Sequence, residues 1–223
     1  MRPGGRIGPI AAVAGAVVLL VGTYLHPMSA DPNVPLAAFT EYAASHIWVA
    51  SHLMQLGGVV LITAALVLLS RKMADGPAGE WATLGATGAI ASLAVAAALQ
   101  AVDGVALKVM VDSWAAIPEP GKTALFDAAF AVRQIETGLA SMGSLLFGLT
   151  ASIYGIALFI DRRFPRWLGA VAIIGGVPTA VAGIVIAYTG FSVSAMVINM
   201  PANSLLILWM IALGAYWRKW SAP

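Results

Sequence analysis

Residues 46–72 read HIWVASHLMQLGGVVLITAALVLLSRK. The 24 residues from His46 to Leu69 hold no Asp, Glu, Lys or Arg, and Arg71 and Lys72 close the run. At about 1.5 Å of rise per residue a helix of this length measures roughly 36 Å, enough to cross the ~30 Å hydrocarbon core of a bilayer. The apolar residues do not alternate, and the run is too long for a barrel strand. In lipid the backbone N–H and C=O groups find no water, so the segment has to bond them internally as a helix.

The same criterion picks out six spans along the chain: Ile7–His26, His46–Leu69, Trp81–Leu107, Thr137–Ile160, Trp167–Tyr188 and Val197–Trp217. Of the 223 residues 60% are hydrophobic and only 10% charged, which excludes both a water-soluble domain and a disordered chain. The expected fold is all-α, a single polytopic membrane domain over 1–223. A basic start followed by an apolar run also describes a cleaved signal peptide. The run before His26 exceeds a signal's apolar core, and Met28-Ser29-Ala30 is a poor cleavage site, so the first span is expected to stay.

Charge sets the orientation. Arg2, Arg6, Arg71, Lys72, Arg162, Arg163, Arg166, Arg218 and Lys219, nine of the twelve basic residues, fall on one side of the six spans. Seven of the ten acidic residues fall on the other side or within the outer helix ends. By the positive-inside rule both termini are cytoplasmic, in the inner (plasma) membrane of a bacterium. Trp81, Trp167, Trp217 and Trp220 lie at the cytoplasmic ends of spans, and Trp48 and Trp114 at the outer ends, where interfacial anchoring accounts for them. Gly169, Gly176, Gly183 and Gly190 recur every seven residues, and Ala140, Ser144, Gly148 and Ser152 every four. Small residues at such spacing let helix backbones approach closely.

Few polar groups enter the spans. Counted from the cytoplasmic ends, His26, His52, Asp103 and Asn199 all sit roughly 28–33 Å up, with Gln55, Gln100 and Asn203 about one turn deeper. Ser141 reaches a similar level, with Thr137, Glu136 and Arg133 just above it. If the second helix begins before its membrane entry, helical phase puts Glu41, Ser45, His52 and Gln55 on one face, and it pairs Gln100 with Asp103 and Arg133 with Glu136 at i, i+3. Lys108 should point away from Asp103 and snorkel. A charge left unpaired in hydrocarbon costs at least roughly 2.5–3.5 kcal/mol, so Asp103, Arg133 and Glu136 are expected to face inward, paired with one another or with His52. Three explanations stay open: a functional centre, a polar clasp that only fixes packing, or, for Arg133 and Glu136, a place above the hydrocarbon where they merely meet headgroups. His26 and His46, at helix ends, are expected to be interfacial. Pro201 marks a break in the sixth span, with Ser192–Met200 a bent outer lead-in, or else it lies in the first turn of an ordinary helix. The run with Phe126 and Phe130 is either a lid over the polar layer or the start of the fourth helix.

No cysteine is present, which excludes thiolate metal sites and cysteine nucleophiles. Phosphate-binding loops, the GxSxG elbow, HExxH, EF-hand loops and nucleic-acid modules are also missing. Three uses of the polar layer remain. The first is an outer-leaflet pocket for a lipophilic small molecule, with Asp103 or Glu136 as acid or base, His52 as its partner, Arg133 as electrostatic stabiliser, and Gln55, Gln100, Glu41, Asn199 and Asn203 lining it. The second is haem or metal held by His26, His46 and His52. The third is a proton-coupled transporter, or a subunit that meets other membrane helices or a second copy. Membrane lipid is the expected partner throughout. The segments Asp103–Lys108, Ala131–Glu136 and Phe164–Gly169 resemble those of uncharacterised six-span bacterial membrane proteins, a likeness that implies the fold and no activity.

Because the chain lacks cysteine, single substitutions report topology directly. Glu119→Cys should react with a membrane-impermeant maleimide in intact cells, and Asp75→Cys only after lysis. The opposite pattern would invert the orientation.

Overall fold

The structure, a computed structural model, describes residues 6–220, the side chains of 219 and 220 excepted. The expectations placed on Arg2 and on the Lys219 and Trp220 side chains lie outside the described residues. Helices α1 (Ile7–Leu25), α3 (Trp48–Met73), α6 (Lys122–Ile160), α7 (Arg166–Thr189) and α8 (Val193–Trp220) are joined by α4 (Gly79–Leu99). The last of these runs through a π-helical segment, Gln100–Leu107, into α5 (Lys108–Ala116). A short helix, α2 (Pro35–Ala44), starts on a proline whose missing N–H costs nothing in a first turn. Six of these elements are long and apolar enough to cross a membrane, so the chain is a multi-pass membrane helix bundle.

Two spans outrun the sequence boundaries. The third continues past Leu107 to Ala116, and the fourth begins at Lys122, not Thr137. At 39 residues α6 is about 58 Å long, nearly twice the hydrocarbon thickness. Phe126 and Phe130 therefore belong to the start of α6, and the lid over this end of the bundle is α2. Its Phe39, fully buried, lies between Trp114 and Phe126 at ring-centroid distances of 6.3 and 5.3 Å. With Trp48, Leu107, Val111 and Ala129 these rings form a second apolar core on the outer side. Trp48 and Trp114 are buried in it instead of standing at the lipid interface, and Trp217 is buried as well. Trp81 and Trp167 are exposed, as anchors should be.

The main core fills the inner half of the bundle, from Ile62, Leu66 and Leu69 on α3 to Tyr154 and Leu158 on α6 and Leu206, Trp209 and Leu213 on α8. It is drawn tight by small residues. A Cβ on Gly169, Gly176 or Gly183 would stand 2.6–2.7 Å from the carbonyl oxygens of Gly155, Gly148 and Ser141. The glycine heptad of α7 therefore meets a matching heptad on α6, Ser141-Gly148-Gly155, while Gly148 and Ser152 of the expected four-residue ridge lie against Gly176. Gly190 takes a positive φ of 63° in the turn to α8. On α1, Gly15 and Gly22 lie against Ile62 and Gln55 of α3 in the same way.

Pro201 lies inside α8 and does not break it. A proline removes one helix bond, and the Asn203 amide donates to Asn199 Oδ1 at 2.7 Å across the same turn.

Gly183→Val would press into the Leu145 and Ser141 backbone, and overpacking of this kind costs about 1–3 kcal/mol. Thermal melts of the purified protein should show a clear loss for Gly183→Val. They should show none for Gly57→Ala, whose new Cβ meets only Val18 Cγ1 at 4.0 Å.

Candidate functional site

Between the two cores lies the polar layer, and the structure divides it in two. The first half is built on α3. His52 is fully buried, and one ring nitrogen, Nδ1, lies 2.7 Å from the Trp48 carbonyl oxygen one turn earlier. A carbonyl only accepts, so Nδ1 carries the proton. The other nitrogen, Nε2, faces Asp103 Oδ2 at 3.0 Å, a contact that requires either a proton on one of the two atoms or a cation between them.

Asp103 stands in the π segment, whose i→i+5 bonding widens the turn. The wider turn shifts helical phase, and two other contacts set its position. The Trp48 indole N–H donates to the Asp103 carbonyl at 3.0 Å. Gly104 lies so close to His52 that a Cβ there would be 2.6 Å from the His52 Cβ. Lys108 does not simply snorkel, since its Nζ donates to the Tyr42 and Ala43 carbonyls, closing the end of α2, and to Asp112. One turn below the His52–Asp103 pair, the Gln100 amide donates to Gln55 Oε1 at 3.1 Å, and Gln55 reaches the Gly22 carbonyl at 3.5 Å.

His26, expected at the interface, joins this group. It is the residue at which α1 stops, and its ring lies 4.7 Å from that of Trp48 and 4.8 Å from that of His52. The close approach of Gly22 to α3 brings it there. One donor atom each from His26, His52 and Asp103 lie within 4.8 Å of one another. His46 is exposed and stands outside the group, so the expected His26, His46 and His52 set is replaced by two histidines and a carboxylate. The His26 and His52 rings touch, which leaves no gap between them for a porphyrin.

The second half belongs to α6. Arg133 and Glu136, both buried, pair at 2.6 Å, as their spacing predicted. The guanidinium also lies over the rings of Phe191 and Tyr42, 4.9 and 5.6 Å from their centres. Since the Tyr42 ring packs on Trp48 at 4.2 Å, Tyr42 links the two halves. Arg133 forms part of a cleft of about 270 Å³ with Asn33, Phe130, Gln134, Thr137, Thr189 and Phe191.

The other expected members are engaged elsewhere. Glu41 accepts from the Ser29 and Ala30 backbone N–H groups, both at 2.9 Å, and so pins the first outer loop. Partial burial, the largest influence on its carboxyl, acts upward, but these N–H groups outweigh it and hold Glu41 below the usual carboxylate range. Asn199 and Asn203 bond to each other on α8, which packs against α1 and α7. The Ser141 hydroxyl donates to the Gly183 carbonyl at 2.8 Å and serves the α6–α7 seam. Trp48, Tyr42, Phe191 and Gly104 were missed as site residues because each looks like packing or anchoring in sequence. The signals pointing to His26 were its depth, shared with His52 and Asp103, and its place one turn beyond Gly22.

No family model, curated protein or solved structure matches this chain, so the function is argued from the geometry.

Truncating Arg133 to Ala leaves the Glu136 carboxylate buried without its counter-ion, and such a loss typically costs about 3–5 kcal/mol. The double variant Arg133→Leu/Glu136→Leu should recover most of the melting temperature. A double variant no more stable than Arg133→Ala would mean that the ion pair is not the reason for the loss.

Proposed function

We propose that this integral membrane protein binds an acidic amphiphile at its outer surface, with Arg133 as the anchor for the anionic group and Glu136 holding the guanidinium in place. The observation that carries the proposal is the cleft of about 270 Å³ with a buried arginine in its wall. Arg133 stands 27 residues above Ile160, roughly 40 Å, beyond the ~30 Å hydrocarbon layer and at the level of lipid headgroups. Only one guanidinium nitrogen, Nη1, bonds to Glu136. The planar fork therefore keeps donors for a phosphate or carboxylate, a geometry arginine favours over lysine. Asn33, Gln134, Thr137 and Thr189 add polar groups around it, and Phe130, Phe191, Pro32 and Pro35 add apolar walls. A headgroup of mixed polarity fits such a lining, while its acyl chains remain in lipid beside α6 and α7.

The inner half of the bundle favours this reading over transport. There Tyr154, Leu66, Leu158 and Trp209 close the space between α3, α6 and α8. A transporter needs a second opening on that side.

Native mass spectrometry of the purified protein with phosphatidylglycerol and phosphatidylethanolamine tests the proposal. The wild type should retain the anionic lipid at least about tenfold better, a difference of roughly 1.4 kcal/mol. The Arg133→Leu/Glu136→Leu variant should lose that preference. Equal retention of the two lipids by the wild type, or a preference that survives in the variant, would overturn it.

A further inference from the structure

The half of the polar layer that the cleft does not use carries its own chemistry. We infer that His26, His52 and Asp103 form a binding site for one divalent transition-metal ion of the zinc class. This goes beyond the amphiphile reading and does not rest on it.

Three donors come from three separate stretches of chain: the residue that ends α1, the middle of α3's outer half, and the π segment. Their donor atoms lie within 4.8 Å of one another. Zinc bonds of about 2.0–2.2 Å in a tetrahedral arrangement bring donors to roughly 3.4 Å from each other. The His52 Nε2–Asp103 Oδ2 pair, at 3.0 Å, lies slightly inside that spacing and needs only a small opening. What remains is a modest closure by His26. That residue lies past the last turn of α1 with extended backbone (φ −72°, ψ 127°), so no helix bond has to break for its ring to move.

The surroundings resemble the second layer of a metal site. A histidine that ligates a metal through one nitrogen usually donates its other N–H to a carbonyl or carboxylate, which sets both tautomer and ring direction. His52 does this toward Trp48, so its Nε2 lone pair points at the common centre. Trp48 in turn holds the Asp103 backbone through its indole N–H. Gly104 allows the π segment to come this near, where any larger residue would push Asp103 away.

The strongest sign is what stays unpaired. Among the described residues, Asp103 Oδ1 and His26 Nδ1 are buried without a hydrogen-bond partner, as is Gln100 Oε1 one turn below them. Buried polar atoms are almost always bonded, and an orphan of this kind calls for an ion or other group to complete it. Two such atoms in one cluster, on residues that already share a donor centre, point to one missing partner. A simple His–Asp hydrogen bond would account for His52 alone and leave both orphans unexplained.

The donor set selects the ion. Two imidazoles and one carboxylate suit zinc and its neighbours, whereas calcium and magnesium take oxygen ligands. Three protein ligands leave a fourth position for water or a ligand, the pattern of open zinc sites rather than closed structural ones.

The test uses the full chain, purified in detergent with a tag other than polyhistidine, stripped with chelator and incubated with zinc chloride. Elemental analysis after gel filtration should find about one zinc per chain in the wild type, and less than about a tenth of that in His26→Ala and in Asp103→Asn. His46→Ala, at an exposed histidine outside the group, should retain the full amount. Zinc should raise the melting temperature of the wild type and of His46→Ala but not of the two site variants. Each melt also reports whether its variant is folded, and phosphatidylglycerol retention should be unchanged in His26→Ala. Absence of zinc from the wild type would overturn the inference whatever the variants do. Zinc that persists in folded His26→Ala or Asp103→Asn, or that disappears in His46→Ala, would overturn it too. Since the lipid measurement depends on Arg133 and the zinc measurement does not, either proposal can fail while the other stands.

Discussion

A carboxylate at the depth of Asp103 has to find a partner inside the protein, because lipid offers none and the cost of leaving it unpaired is several kcal/mol. Much of the outer architecture serves that requirement. His52 meets Asp103 at 3.0 Å because Gly104 removes the side chain that would hold the two helices apart. Trp48 fixes both partners, one through its carbonyl and the other through its indole. Above them α2 and the outer ends of α5 and α6 close an apolar roof around Phe39, which keeps the pair out of water. The polar pair and the roof depend on each other: without the roof the pair would be hydrated, and without the pair Asp103 would be expelled toward the surface.

The second ionic pair obeys the same rule with a different outcome. Arg133 and Glu136 satisfy one another along a single helix, so no second helix is needed to bring them together. This leaves one face of the guanidinium free toward a cleft, while its other contacts are the rings of Tyr42 and Phe191. The outer layer thus holds a cleft bordered by Arg133 and, apart from it, the His26, His52 and Asp103 group, with Tyr42 between them. The two proposed roles draw on separate residues.

Much of this was legible in the chain itself. Span number, the level of the polar layer and the pairing of Arg133 with Glu136 follow from hydropathy, helical rise and an i, i+3 spacing. His52 and Gln55 share a face of α3 as read, and His52 was among the partners expected for Asp103. Glu41 and Ser45 leave that face because α2 stops at Ala44, and the Gln55–Gln100 contact was not foreseen. Other features depended on packing. His26 looked like an end residue because nothing local shows that the Gly15–Gly22 edge of α1 presses against α3. Lys108 was expected to face lipid water because a uniform α phase was assumed where the backbone widens to a π turn. Asn199 and Asn203 reach the right height and the wrong neighbour, since depth along a span says nothing about which helices flank it.

Each span has to satisfy the bilayer on its own, one segment at a time, and that is why composition and charge alone determine six crossings with the basic ends together. Which side chains then meet is a lateral question. It was decided by the glycine contacts that draw α1 to α3 and α6 to α7, by the change of phase between Gln100 and Leu107, and by a short helix folded over the outer end. These are contacts between segments far apart in the chain, and no periodicity within any one of them encodes the distance from His26 to Asp103.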